Sequence, residues 1–181
     1  GAEVRGAGRQ ELTLWTAGPM TRIFPFDDAP ERALREYGLK AARGEIECFQ
    51  IGARSNGFRM ERLSAEATDL TGPGGAVIPA GNVRILHAEY VPVKWGASGQ
   101  QEGDVEREAP AFFADPLLPE WQWITAGPES TPARSIWVRI TVPPDAAPGE
   151  YTGVIKVSAG RKGEEAENVA AADTFALAGE I

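Results

Sequence analysis

The chain has 181 residues, one cysteine, one histidine, and a formal charge of -8 from 18 Lys+Arg against 26 Asp+Glu. So acidic a composition argues against general binding to nucleic acid or anionic membranes, which needs basic side chains facing phosphates. The lone Cys48 and His87 exclude an internal disulfide, a multi-cysteine zinc site and any site of two or three histidines, and no apolar run is long enough for a membrane-spanning helix.

At ~150 residues per domain the length fits one domain, and a hydrophobic share of 43% is that of a globular chain. Gly (21) and Pro (14) are in excess, which predicts many turns and no long helices. Residues 1–11 read as a flexible lead-in. Leu12–Trp15 alternates before Ala17-Gly18-Pro19 and predicts a short strand, with a second at Arg22–Phe24. Ala29–Tyr37 is the best helix candidate: Asp28 could cap it, Pro30 suits its first turn, Ala33, Leu34 and Tyr37 share a side, and Gly38 ends it.

Glu45–Gly52 alternates as a strand, with Ile46, Cys48 and Gln50 on one face and Glu47, Phe49 and Ile51 on the other; Cys48 is expected in the core as a small hydrophobe. Leu63–Leu70 is a weaker strand, and Thr71-Gly72-Pro73-Gly74-Gly75 is a turn. Val83–Trp95 carries one long strand or two, with Pro92 at an edge or bulge. Gly96–Pro110 is a long polar loop, and Ala111–Pro128 holds aromatic groups without a regular period.

Arg134–Val142 is the strongest strand, with Ile136, Val138, Ile140 and Val142 on one face and Trp137, Arg139 and Thr141 on the other. A Pro-Gly connection leads to Tyr151–Ser158, predicted as its antiparallel partner. Residues 159–181 read as a hairpin loop followed by a terminal strand or the start of a linker to a further domain. Short strands between turns predict an all-β, antiparallel β-sandwich over residues 12–158, with at most one or two short helices. A parallel sheet would need crossover helices of a dozen residues.

Several blocks, in order, carry a family resemblance. Ala41-Ala42-Arg43-Gly44-Glu45-Ile46-Glu47-Cys48-Phe49-Gln50 is the first, and Asp69-Leu70-Thr71-Gly72-Pro73-Gly74-Gly75 with Ile78 the second. Tyr90-Val91 and Asp115-Pro116-Leu117-Leu118-Pro119 follow. The last joins Ile136-Trp137-Val138 to Val142-Pro143-Pro144-Asp145-Ala146-Ala147-Pro148-Gly149-Glu150-Tyr151-Thr152-Gly153. Together they resemble the N-terminal β-sandwich domain of glycoside hydrolase 123-like proteins. The resemblance implies a non-catalytic accessory domain of a secreted, N-acetyl-hexosaminidase-like glycoside hydrolase, extracellular or periplasmic, bracing a C-terminal catalytic (β/α) barrel. Such a barrel takes roughly 250 residues, so the family's catalytic residues have no positions in this chain.

Arg43, Glu45, Glu47, Gln50, Asp69, Trp137, Pro148, Gly149, Tyr151 and Gly153 are the structural signature that the resemblance selects. Glu45 or Glu47 is expected to pair with Arg43 or another arginine and fasten a sheet edge. Asp115, Leu117, Leu118 and Pro119 are expected to dock the next domain. Trp95, Trp121 and Trp123 are the candidates for carbohydrate contact, since an indole stacks on the apolar face of a pyranose; interface and core roles compete with that reading. An autonomous carbohydrate-binding module using these tryptophans is the alternative function. Trp15 and Trp137 read as core residues, and His87 as a structural histidine. No catalytic residue, metal or cofactor is assigned; no nucleic-acid partner or membrane insertion is expected.

Overall fold

The computed structural model describes residues 12–56, 60–96, 106–119, 132–161 and 171–181. Eleven strands are placed there: β1 (Leu12–Ala17), β2 (Glu36–Lys40), β3 (Ile46–Ser55), β4 (Met60–Ala67), β5 (Leu70–Thr71), β6 (Val77–Ile78), β7 (Val83–Val93), β8 (Ala111–Leu118), β9 (Ala133–Thr141), β10 (Glu150–Arg161) and β11 (Ala171–Glu180). The first sheet runs β1-β3-β9-β7-β8 and is antiparallel throughout. The second runs β2-β11-β10-β5-β6, with β4 beside β10, and only its β2–β11 pair is parallel. The architecture is the expected all-β sandwich.

The core lies between the sheets. Leu14, Phe49, Ile51, Ile136 and Val138 from the first meet Leu63, Ile78, Tyr151, Ile155 and Val157 from the second, all nearly inaccessible. Each large apolar side chain buried this way contributes about 1.5–3 kcal/mol over an exposed one. The alternation in β9 and β10 puts the expected residues inward: Ile136, Val138, Ile140 and Val142 are buried, as are Tyr151, Ile155 and Val157.

Two of the sequence blocks interlock. Three glycines sit where the other block presses on their backbone: a Cβ at Gly72 would stand 2.4 Å from the Tyr151 ring, one at Gly153 2.4 Å from Leu70, and one at Gly149 2.8 Å from Pro73. The Tyr151 hydroxyl donates to the Ala147 carbonyl at 2.9 Å, pinning the turn that precedes β10. Asp69 accepts from the Ala80 amide at 2.7 Å and closes the other side of the β5–β6 hairpin. Asp69, Gly149, Tyr151 and Gly153 all take part in the packing at this end.

Several expectations need correction. Residues 29–37 form no helix. The Thr16 amide and hydroxyl bond the Leu34 carbonyl, and the hydroxyl also reaches that of Glu36; residues 36–40 then enter the second sheet. Tyr37 stacks on Phe49 at 4.5 Å. Two extended anchors outweigh a two-turn helix, which is marginal without packing. Arg22–Phe24 is not a strand, although Ile23, Phe24 and Pro25 are buried.

The Pro-Gly connection does not fold β9 and β10 into a hairpin. It carries the chain from the first sheet to the second. Both strands are central, so each finds its neighbours within its own sheet. Cys48 lies opposite Arg139, on the far side of β3 from buried Phe49 and Ile51. The expected weak strand at 63–70 is two strands, interrupted where Thr68 exchanges bonds with Val154. The aperiodic stretch after Ala111 begins as β8, with a register shift against β7 that breaks its alternation.

His87 is buried, on the β7 face that also carries buried Glu89. Opposite that pair, Arg134 of β9 reaches Glu89 at 3.4 Å. Burial lowers the His87 pKa from 6.5. The unfolded chain then holds the extra proton, so stability is complete above about pH 6.5 and falls as pH drops through the folded pKa. Melting temperature measured from pH 7.5 downward should show that decline, and His87→Gln should flatten it.

Candidate functional site

The outer face of the first sheet is crossed by a strap, residues 18–28. Gln50 is its central anchor. Its amide nitrogen donates to the carbonyls of Gly18 (2.9 Å) and Thr21 (2.6 Å), while its oxygen accepts from the Ser135 hydroxyl at 2.8 Å. Tyr90 donates to the Ile23 carbonyl at 2.9 Å, and the Ala133 amide to that of Pro25 at 3.0 Å. Burial drives the Tyr90 hydroxyl far above its usual pKa, so it remains a donor.

Charged groups hold the end of the strap. Arg107 pairs with Asp27 at 2.7 Å and lies 3.8 Å from the Phe24 ring centre. Arg54 donates to the Asp27 carbonyl and pairs with Asp28 at 3.0 Å. Gln50→Leu strands two carbonyls and a hydroxyl, and should lower stability by about 1–3 kcal/mol in urea titration.

Between the strap and β8 the sheet leaves a groove of 310 Å³. Trp137, half-buried, lines it with Gln50 and Ala88; Met20, Asp115 and Leu117 stand at its sides. Met20 is 92% exposed and Leu117 40%. Asp115 is exposed and makes no ion pair among the described residues. Leu118 is half-buried and pairs with His87, and Pro119 is exposed. Asp115 and Leu117 thus border one groove, together with Gln50 of the first block and Trp137 of the last. Trp137 faces this groove, not the core between the sheets. Trp15 is buried, also on the outer side, where a Cβ at Gly52 would come within 2.2 Å of its indole.

Trp95 is 81% exposed just beyond β7. Trp121 and Trp123 lie outside the described residues. The strap itself escaped the sequence reading; the apolar triplet Ile23-Phe24-Pro25 was its one local signal.

The second surface is the end of the sandwich where β9, β10 and β11 meet. Residues Ala42–Glu45 form a tight turn there. The Glu45 amide donates to the Ala42 carbonyl at 3.2 Å, and Gly44 has φ +77°, the left-handed value a type II turn needs. The Glu45 carboxylate accepts from the Ala42 amide at 2.6 Å. Glu45 therefore closes the turn and does not pair with Arg43. Arg43 sits exposed at the tip, without a hydrogen bond or ion pair among the described residues; Glu47 is half-buried and makes none either. Pro148 is exposed on the neighbouring turn. Among the described residues no group of three His, Cys, Asp or Glu side chains converges on a metal-sized space.

The family profile described as the glycoside hydrolase 123 N-terminal domain matches residues 27–159. Among solved structures, a family 123 glycoside hydrolase from Clostridium perfringens, described for glycolipid glycan hydrolysis, superposes with a TM-score of 0.73 at 19% identity. The match covers 94% of this chain and 27% of that one, so the chain spans about a quarter of that enzyme's length. A PapD-like domain of human CEP192 is more distant, with a TM-score of 0.47 at 11% identity over 99% of this chain and 93% of its own. A search of curated proteins finds no match.

Proposed function

The chain belongs to the glycoside hydrolase 123 N-terminal domain family, and from that premise we propose that it braces the catalytic domain of a longer glycoside hydrolase. By itself this domain is non-catalytic. The observation that carries the reading is the family match over most of the sandwich, alongside an enzyme relative with nearly three-quarters of its length outside the match. The proposal extends to a catalytic (β/α) barrel C-terminal to this domain, acting on N-acetyl-hexosamine-containing glycans in an extracellular or periplasmic setting. The Clostridium enzyme's action on glycolipid glycans supports that substrate class.

Asp115, Leu117 and Pro119 are exposed and Leu118 is half-buried, so the outer groove is one of two faces on which that domain could seat. The test is deletion of this domain from the full-length protein. Loss of soluble yield and a lower melting temperature of the remaining domain are expected; an unchanged catalytic domain overturns the reading.

A second reading rests on Trp95, the most exposed indole described. On it, the domain binds glycans directly, with Trp121 and Trp123 as further contacts. Titration with N-acetylgalactosamine oligosaccharides at millimolar concentration should then show binding that Trp95→Ala weakens, and no binding overturns it.

A further inference from the structure

We infer that the catalytic domain seats on the Arg43 end of the sandwich, with a carboxylate presented to Arg43 and an apolar side chain closing the cleft beside it. This deepens the bracing role just proposed and rests on it. Three independent features of this end support the assignment.

First, β11 ends here. Ile181 and Gly149 exchange two backbone hydrogen bonds, each of 2.9 Å. On the proposed C-terminal placement of the catalytic domain, the connection to it leaves from beside the 143–149 turn. A domain joined by a short connection after β11 would lie beside this end.

Second, the two sheets do not close over their core at this end. An apolar cleft of about 20 Å³ remains, bordered by Leu39, Ala41, Leu70, Ile78, Val142 and Ile181. That space would admit a water, but its side-chain lining is apolar save for the Tyr151 hydroxyl, which already donates to Ala147. A water there finds too few partners, whereas a methyl or methylene group fits the chemistry.

Third, Arg43 is held ready. The turn that carries it is fixed by the Glu45 carboxylate and by Gly44 donating to the Val142 carbonyl at 3.0 Å. Its guanidinium nonetheless makes no ion pair among the described residues, although Asp145 and Glu150 share this end. Arginine is suited to bidentate capture of a carboxylate, and the positioned turn reduces the ordering cost of making that contact. Ala41, two residues away, joins the cation to the cleft.

The test is made in the full-length protein. Wild type should melt in one transition. Arg43→Glu alters an exposed residue with no hydrogen bond or ion pair among the described residues, so the domain should keep its fold; the two domains should then melt separately, and limited proteolysis between them should accelerate ~10-fold or more. Ala41→Asp should do the same by placing charge at the cleft mouth, and Arg43→Lys should act partially. Leu117→Asp is the comparison. If Leu117→Asp uncouples the domains while Arg43→Glu and Ala41→Asp do not, the seat lies at the outer groove and this inference falls, with the bracing role intact. If the wild-type domains already melt independently and deletion of the sandwich changes nothing, the bracing role falls as well.

Discussion

Replacing Arg134 by Met should destabilise the sandwich by about 3–5 kcal/mol, the usual consequence of removing one partner from a buried ion pair. Glu89 is 1% exposed and Arg134 8%, and they meet at 3.4 Å on the inner side of the first sheet. Burial lowers the Arg134 pKa, and the Glu89 carboxylate works against that shift. The penalty arises from a buried carboxylate deprived of its Arg134 partner, more than from any net attraction lost. The double variant Arg134→Met with Glu89→Leu should accordingly recover most of the loss. Urea denaturation of the two singles and the double makes the comparison. A double variant no more stable than its worse single would contradict the account.

The second large effect is expected at Gly72. An alanine there places its Cβ 2.4 Å from the ring of Tyr151, which is 2% exposed and tied to Ala147 by its hydroxyl. The ring cannot retreat without breaking that bond or entering the core, so Gly72→Ala should cost about 1–3 kcal/mol. Gly153→Ala meets the movable end of Leu70 first, but also the Asp69 carbonyl at 3.2 Å, and should cost a similar amount. Gly81 provides the contrast: nothing lies within 4 Å of its added Cβ and its φ is not left-handed. Gly81→Ala should be neutral or slightly stabilising by restricting the unfolded chain. Thermal melts of the three variants separate close packing from a general intolerance of alanine at glycine positions.

The same contacts explain how far the sequence could be read. β9 and β10 are central strands with one apolar face each, so their alternation survives in the sequence as Ile136, Val138, Ile140 and as Ile155, Val157. Local pattern could not say which strand each would join. The Pro-Gly turn between them looks like a hairpin turn, but here it bridges two sheets, a choice made by partners as distant as β3 and β11. Residues 29–37 carry genuine helix signals that lose to Thr16 and β11, neither of which is close in sequence.

The candidate site was legible in part. Asp115 and Leu117 form a local group in the sequence, but their surface is completed by Trp137 of the last block and Met20 of the strap. Trp137 and Cys48 show the limit of alternation. It assigns residues to faces, but not which face meets the other sheet; both lie on the outer face, where the strap borders the groove that holds Trp137. Arg43 was selected with Glu45, yet the carboxylate serves the backbone and leaves the cation on the surface.

The parallel pairing of β2 with β11 also has a temporal consequence. Residues 36–40 find their partners at 176–180. At ribosomal speeds of ~5–20 residues per second, the early segment waits on the order of ten seconds for the late one to be made. β10, once made, also lacks β11, its neighbour over nearly its whole length, for the ~1–4 s that the last residues take to follow. The nascent chain therefore carries unpaired edges until β11 emerges, and the sandwich closes last beside the point where its chain departs.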